Sequence, residues 1–134
     1  MDAVTKRMIK IYKLEQYKID FMSYRFNQIG DLTYHHLIIP KCQGGQKTVK
    51  NGAILTDTSH QYLHLIQQRD EEIFSLISSE MIDQNIKGNL DIKNLKKIRE
   101  LLRYFESEHI DERTREGKLL IKEKYLIRPK LDMI

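Results

Sequence analysis

An α+β fold is predicted for this chain: a strand–loop–strand–helix unit set between helical flanks. Three observations carry that prediction. Two short aliphatic runs, Leu32 to Ile39 and Ala53 to Thr56, are separated by a polar loop containing glycines. A polar cluster, Thr56 to Ser59, then supplies N-caps for a helix beginning near His60. Further on, Ile92, Leu95, Ile98, Leu102 and Phe105 step by three and four, the spacing of a buried helical stripe. At 134 residues the chain reads as a single domain, residues 1–134.

In chain order, Val4, Met8, Ile11 and Tyr12 sit at helical spacing among lysines and an arginine, which predicts a short amphipathic helix over residues 4 to 15. Between Leu14 and Phe26 helical and alternating periods are both present, and the type stays open. Asn27 to Asp31, with Gly30, reads as a turn. The strand Leu32 to Ile39 stops at Pro40. Gln43 to Lys50 is a polar loop whose Gly44-Gly45 takes positive φ at little cost. The helix near His60 either continues along the stripe Tyr62, Leu65, Ile66, Ile73, Leu76, Ile77 or is interrupted by the polar run Gln67 to Glu72. Asp83 to Asn89 reads as a loop, and Asn89 or Asp91 caps the late helix. Beyond His109 the chain is charged until Leu119. Lys118 to Ile127 fits a strand or a helix, and Pro129 ends it.

The bulk numbers limit the function classes. Hydrophobic residues make up 40% and charged residues 31%, as in globular rather than disordered chains. A net charge of +4 and a pI near 9.1 suit a nucleic-acid partner without requiring one. Apolar runs such as Leu37 to Ile39 and Leu119 to Ile121 are far too short to span a bilayer, so no membrane partner is expected. Met1 to Glu15 is charged throughout, unlike a secretory signal. The single cysteine, Cys42, excludes an internal disulfide and a Cys-rich zinc cluster, and a cytoplasmic setting is the expectation.

Four of the five histidines fall between Tyr34 and Leu65: His35, His36, His60 and His64. His60 and His64 are four apart on the predicted helix, so their imidazoles share one face and can bind one ion. Alone, that spacing is weak, because a polar helix face produces it by chance. His35 and His36 strengthen it. On a strand they point to opposite faces, and a turn or bulge at the strand end brings both towards one site. One then completes a three-nitrogen site and the other stays available as a base. An unperturbed imidazole, with a pKa near ~6.5, suits both tasks.

These residues resemble the HNH endonucleases, the ββα-metal or His-Me finger group. The resemblance rests on His35-His36, on Asn51, on His60 and His64, and on the stretches HHLIIPKCQGG and KNGAIL, covering about residues 32 to 66. It implies a ββα-metal core at 32–69, an N-terminal helical or extended flank at 1–31 and a C-terminal helical flank at 70–134. It also implies a metal-dependent endonuclease, with His36 as general base and Asn51 bracing the loop and orienting that base. His35, His60 and His64 would hold one divalent cation, the arrangement most similar to the colicin nuclease branch. Many members carry Cys-x-x-Cys pairs that bind a structural zinc. Here those stretches look like Phe21 to Tyr24 and Thr56 to Ser59, so no structural zinc is expected, and Phe21, Tyr24 and Phe26 are expected to pack in its place.

Of the metals considered, Mg²⁺ prefers carboxylates and waters, whereas three imidazoles favour Zn²⁺, Ni²⁺, Co²⁺ or Mn²⁺. Asp57 is read as an N-cap rather than a ligand. Candidate phosphate contacts are Arg25, Lys41, Lys47, Lys50 and Arg69, each also at home on a solvated surface. Lys93, Lys96, Lys97, Arg99 and Arg103 give the late helix a basic outer face. Cys42 is read as inert and His109 as a solvated helix-end residue. The expected partner is DNA, with RNA as the other nucleic acid to test. Cutting both strands would call for a homodimer or a partner protein. The alternatives are a non-cleaving, metal-stabilised nucleic-acid-binding module and a toxin-type nuclease domain with an immunity partner.

Overall fold

The computed structural model describes residues 1–37, 44, 46–111, 113–115 and 117–118. These form a mixed α+β fold of five helices and a two-stranded antiparallel sheet. Lys41, Cys42, Pro40, Gly45 and the segment 119–134, with the readings attached to them, lie outside the described residues.

The N-terminal helix α1 (Ala3–Ile11) is capped by Asp2, which accepts from the Thr5 amide. The sequence predicted a helix through residue 15. It breaks instead at Lys13, which takes a left-handed conformation (φ 52°), and α2 (Leu14–Tyr17) is a single turn closed by a second left-handed residue, Lys18 (φ 56°). From there to Phe26 the chain is neither helix nor regular strand. It folds back on itself, pairing Ile19 with Arg25, with Ser23 at φ 67°. This knot of chain is buried: Phe21, Met22 and Tyr24 have almost no exposure and Phe26 very little. The Phe21 amide donates to the Ile54 carbonyl at 3.1 Å, which fastens the segment to the sheet.

A 3-10 turn, Ile29–Asp31, leads into β1 (Leu32–His36). Its partner β2 (Gly52–Thr56) pairs His36 with Gly52, His35 with Ala53, Tyr34 with Ile54, Thr33 with Leu55 and Leu32 with Thr56. Every residue of β2 is buried, so both faces of that strand are covered. Gly52 is required by a close approach. A Cβ there would overlap the Tyr34 ring.

The helix α3 (Asp57–Arg69) starts directly from β2, with Thr56 as its cap accepting from the Ser59 amide. Asp57 therefore lies inside the first turn and accepts from Gln61 Nε2 at 3.1 Å; it is not the cap. The polar run does interrupt the stripe. Asp70 leaves helical geometry (φ −152°, ψ 90°) and caps α4 (Glu71–Lys87) by accepting from the Ile73 amide. The loop expected over Asp83 to Asn89 is corrected, since α4 continues to Lys87 and ends on left-handed Gly88 (φ 76°). Tertiary contacts override local polarity there: Gln84 is buried, and the Asn94 amide donates to Glu80 and Asp83 at 2.7 and 3.0 Å. Asp91, not Asn89, caps α5 (Ile92–His109).

The stripe Leu95, Ile98, Leu102 and Phe105 is buried, and α5 packs on α4 while α4 packs on α3. Each such side chain contributes about 1.5–3 kcal/mol by leaving water. His109 is corrected from a solvated end residue. Its ring stacks on Phe105 at 4.7 Å and its Nε2 lies 2.9 Å from Asp70 Oδ2, tying the end of α5 to the α3–α4 break. Among the described residues no helix is long and apolar enough to cross a membrane.

Candidate metal centre

The site forms where β1 runs beneath the first two turns of α3. Strand alternation puts Thr33 and His35 on one face of β1, and Tyr34 and His36 on the other. The Thr33–His35 face meets α3, which presents His60 and His64 one turn apart. His35, His60 and His64 each offer a nitrogen, and the three atoms lie within 4.8 Å of one another. The His60 and His64 rings stack at 4.9 Å with 18° between planes, and His35 stands edge-on to each at 4.8 Å. Phe74 of α4 walls the back of the group, 6.4 Å from the His35 ring. These three histidines lie close enough to bind one metal ion.

Burial is graded across the group. His35 is buried, His60 half-buried and His64 exposed, so an ion would enter from the His64 side. Burial pushes the His35 pKa down to about 3, with the neighbouring His60, His64 and His36 adding to the shift. Burial, reinforced by His64, also lowers that of His60, against a small opposing pull from Asp57. Both rings are thus held in the neutral, lone-pair-bearing form that a metal ion needs. His35 Nδ1 lies 3.0 Å from His60 Nε2, while His35 Nε2 is buried with no hydrogen-bond partner among the described residues.

The donors fit a borderline transition ion. Nitrogens bound to one Zn²⁺ at ~2.0–2.1 Å stand roughly 3.0–3.5 Å apart. The His35–His60 pair already meets that separation, and small side-chain rotations bring His64 in from the 4.8 Å limit. No carboxylate joins the cluster among the described residues, so a hard ion such as Mg²⁺ would depend on waters and substrate oxygens.

His36 is placed differently. No bulge turns it round: β1 stays in register through His36↔Gly52, and the Leu37 amide continues the ladder to the Asn51 carbonyl at 2.7 Å. Its half-buried ring meets Tyr34 edge-on at 4.9 Å, on the face of the sheet opposite His35. Asn51 is buried immediately before β2. Its Nδ2 donates to the Gln46 carbonyl at 2.9 Å and its amide to Thr48 Oγ1 at 3.0 Å. Asn85 of α4 holds the flanking carbonyls of Lys50 and Gly52 at 3.1 and 2.9 Å, and its own oxygen accepts from Tyr12 at 2.7 Å.

The candidate phosphate contacts do not converge. Lys47 pairs with Asp2 at the start of α1 and lies over the Tyr34 ring at 5.0 Å. Arg69, at the far end of α3, donates to the His109 carbonyl at 3.4 Å. Arg25 is exposed on the N-terminal knot, and Lys50 is exposed beside Asn51. Thr33, Phe74 and Asn85 were not foreseen from the sequence. Period-two spacing from His35 marks Thr33, whereas nothing local marks the other two.

Comparison of the chain with protein-family models, with curated proteins and with solved structures returned no match. The likeness to HNH endonucleases therefore rests on the residues of the 32–66 stretch themselves.

Proposed function

We propose that the protein is a metal-dependent nuclease that hydrolyses nucleic-acid phosphodiesters, most naturally those of DNA. The observation that carries this reading is the convergence of His35, His60 and His64, drawn from a strand and a helix far apart in sequence. One divalent ion held by these three rings supplies Lewis-acid stabilisation of the charge that develops on the phosphate. His36, at the last position of β1, is the base that takes the proton from the attacking water. Asn51 and Asn85 fix the backbone around the β1–β2 connection, and so the direction in which His36 is presented. The basic balance of the chain favours an anionic polymer as substrate.

A second reading draws support from one specific observation. His36 stands on the opposite face of β1 from the three-histidine group. A non-cleaving module that uses a metal ion for stability would need no base beside that ion.

Supercoiled-plasmid cleavage separates the two. After chelation, Mg²⁺, Mn²⁺, Ni²⁺ or Zn²⁺ is returned to wild type and to His36→Ala. Ion-dependent nicking that is lost in a variant still able to bind metal supports the nuclease with His36 as base. Metal binding without cleavage of DNA or RNA under any ion supports the binding module. Equal cleavage by both proteins removes His36 from the mechanism.

A further inference from the structure

The Thr33 hydroxyl sits between two groups of different character. Its Oγ1 lies 3.0 Å from the Leu55 carbonyl oxygen, which can only accept, and 3.0 Å from His60 Nδ1. A hydroxyl has one proton to give. With that proton committed to Leu55, Oγ1 can meet His60 only as an acceptor, so Nδ1 must carry the hydrogen. His60 Nε2 is then the lone-pair nitrogen, and it is the atom that faces His35 Nδ1 at 3.0 Å. Without an ion the polarity runs one way: His35 Nδ1–H to His60 Nε2, His60 Nδ1–H to Thr33, and Thr33 to the Leu55 carbonyl. An ion seated between His35 Nδ1 and His60 Nε2 would displace that first proton, leaving His35 as the Nε2–H tautomer with the hydrogen on its buried second nitrogen.

We propose that Thr33 is a positioning residue for the metal centre: its hydroxyl, anchored on the Leu55 carbonyl, holds His60 as the Nδ1–H tautomer and reserves His60 Nε2 for the ion. This rests on the three histidines being a metal site. The chemistry is general, since a ligating imidazole is oriented by what its second nitrogen donates to. The anchor is rigid here, because Thr33 and Leu55 are cross-strand neighbours in the β1–β2 register. Among the described residues His64 has no equivalent contact, so the ordering would act through His60.

The test uses the 134-residue chain stripped of metal, Thr33→Val, which keeps the branched shape without the hydroxyl, and Thr33→Ser, which keeps the hydroxyl. Zn²⁺ affinity is measured by chelator competition, and the His60 tautomer by long-range ¹H–¹⁵N correlation in the metal-free proteins. The proposal predicts an Nδ1–H His60 in wild type and in Thr33→Ser. In Thr33→Val it predicts a mixed tautomer and a loss of Zn²⁺ affinity of about 10- to 100-fold, with Thr33→Ser close to wild type. A wild-type His60 protonated on Nε2 overturns it, whether or not the variants fold. So does Zn²⁺ binding by Thr33→Val as tight as wild type, or an equal loss in Thr33→Val and Thr33→Ser. Absence of Zn²⁺ binding by wild type with an Nδ1–H His60 would instead sink the metal reading beneath it, leaving only the tautomer assignment.

Discussion

Two polar centres meet the start of α3, and they are built in opposite ways. At the β2–α3 junction the Asp20 carboxylate is fully enclosed, yet each oxygen is matched. Oδ1 accepts from the Met22 and Tyr24 amides at 2.9 and 3.0 Å, and Oδ2 from the Thr56 amide and hydroxyl at 2.8 and 3.1 Å. In the histidine group, donors and acceptors do not balance, and one buried nitrogen of His35 is left over. A buried polar group with every partner present is a structural fastening. Three imidazoles that converge without a full set of partners are what the proposed metal site would need. Asp20 joins two stretches that are distant in sequence, Phe21 to Tyr24 and Thr56 to Ser59. A carboxylate, backbone amides and the Thr56 hydroxyl hold this junction together, and Phe21, Tyr24 and Phe26 are buried.

The largest effect that could break this contrast is on Asp20. Asp20→Ala strands two backbone amides of the knot and the Thr56 amide in the interior, and each such group costs about 1–3 kcal/mol. A loss of about 3 kcal/mol or more is expected by denaturant titration, with Asp20→Asn falling between the variant and wild type. A loss below about 1 kcal/mol would show that Asp20 is no fastening.

The converse prediction is for His64, the exposed member of the group. His64→Ala should leave the unfolding midpoint of the metal-free protein nearly unchanged while weakening Zn²⁺ binding about 100-fold or more, since even outer partners of a ligand cost 10- to 100-fold. Thermal unfolding reads the first quantity and calorimetric titration the second, and a variant that binds as wild type does would remove His64 from the site.

Acid should separate the centres next. The folded-state pKa of His35 is pushed down to about 3, below the ~6.5 of an unfolded chain, so protons prefer the unfolded state. Its contribution is fully present above pH ~6.5 and is lost as the pH falls from ~6.5 towards ~3. Burial raises the Asp20 pKa despite its donors, so that carboxyl works in the opposite sense. The difference in stability between metal-free wild type and His35→Leu isolates the histidine. Wild type should lose ground to the variant as the pH drops below ~6.5, and parallel curves would contradict the assignment. The smallest effect belongs to Lys47→Ala. Its exposed pair with Asp2 should be worth under about 1 kcal/mol, fading further in high salt, and a larger change would make this ion pair a structural element in its own right.

What the sequence revealed follows from which signals are local. The α5 stripe was legible because one periodicity runs from Leu95 to Phe105, although Ile92, expected at its start, is exposed. The two strands were legible from aliphatic runs bounded by polar loops, and the metal group from a histidine pair at i, i+4 with a second pair in the chain before it. Asp20 was invisible, because a buried carboxylate looks like any surface aspartate until its distant partners are known. The left-handed residues Lys13, Lys18 and Ser23 carried no glycine or asparagine to announce a break. Polar Asp83 to Lys87 resembled a loop since its helical pairing comes from Asn94 and from Lys87, which bridges Asp83 at 3.0 Å. Gly52 was not marked by the sequence, because the Tyr34 ring that requires a glycine there comes from the paired strand.

The central claim is that the unbalanced centre is a metal site, and a Zn²⁺ titration of the stripped protein tests it most directly. Wild type should bind one equivalent saturably, with a melting temperature that rises with free Zn²⁺ as linkage requires. His60→Ala should lose both responses, while Asp20→Asn keeps them wherever it is folded. No saturable binding by wild type, or undiminished binding by His60→Ala, would contradict the claim.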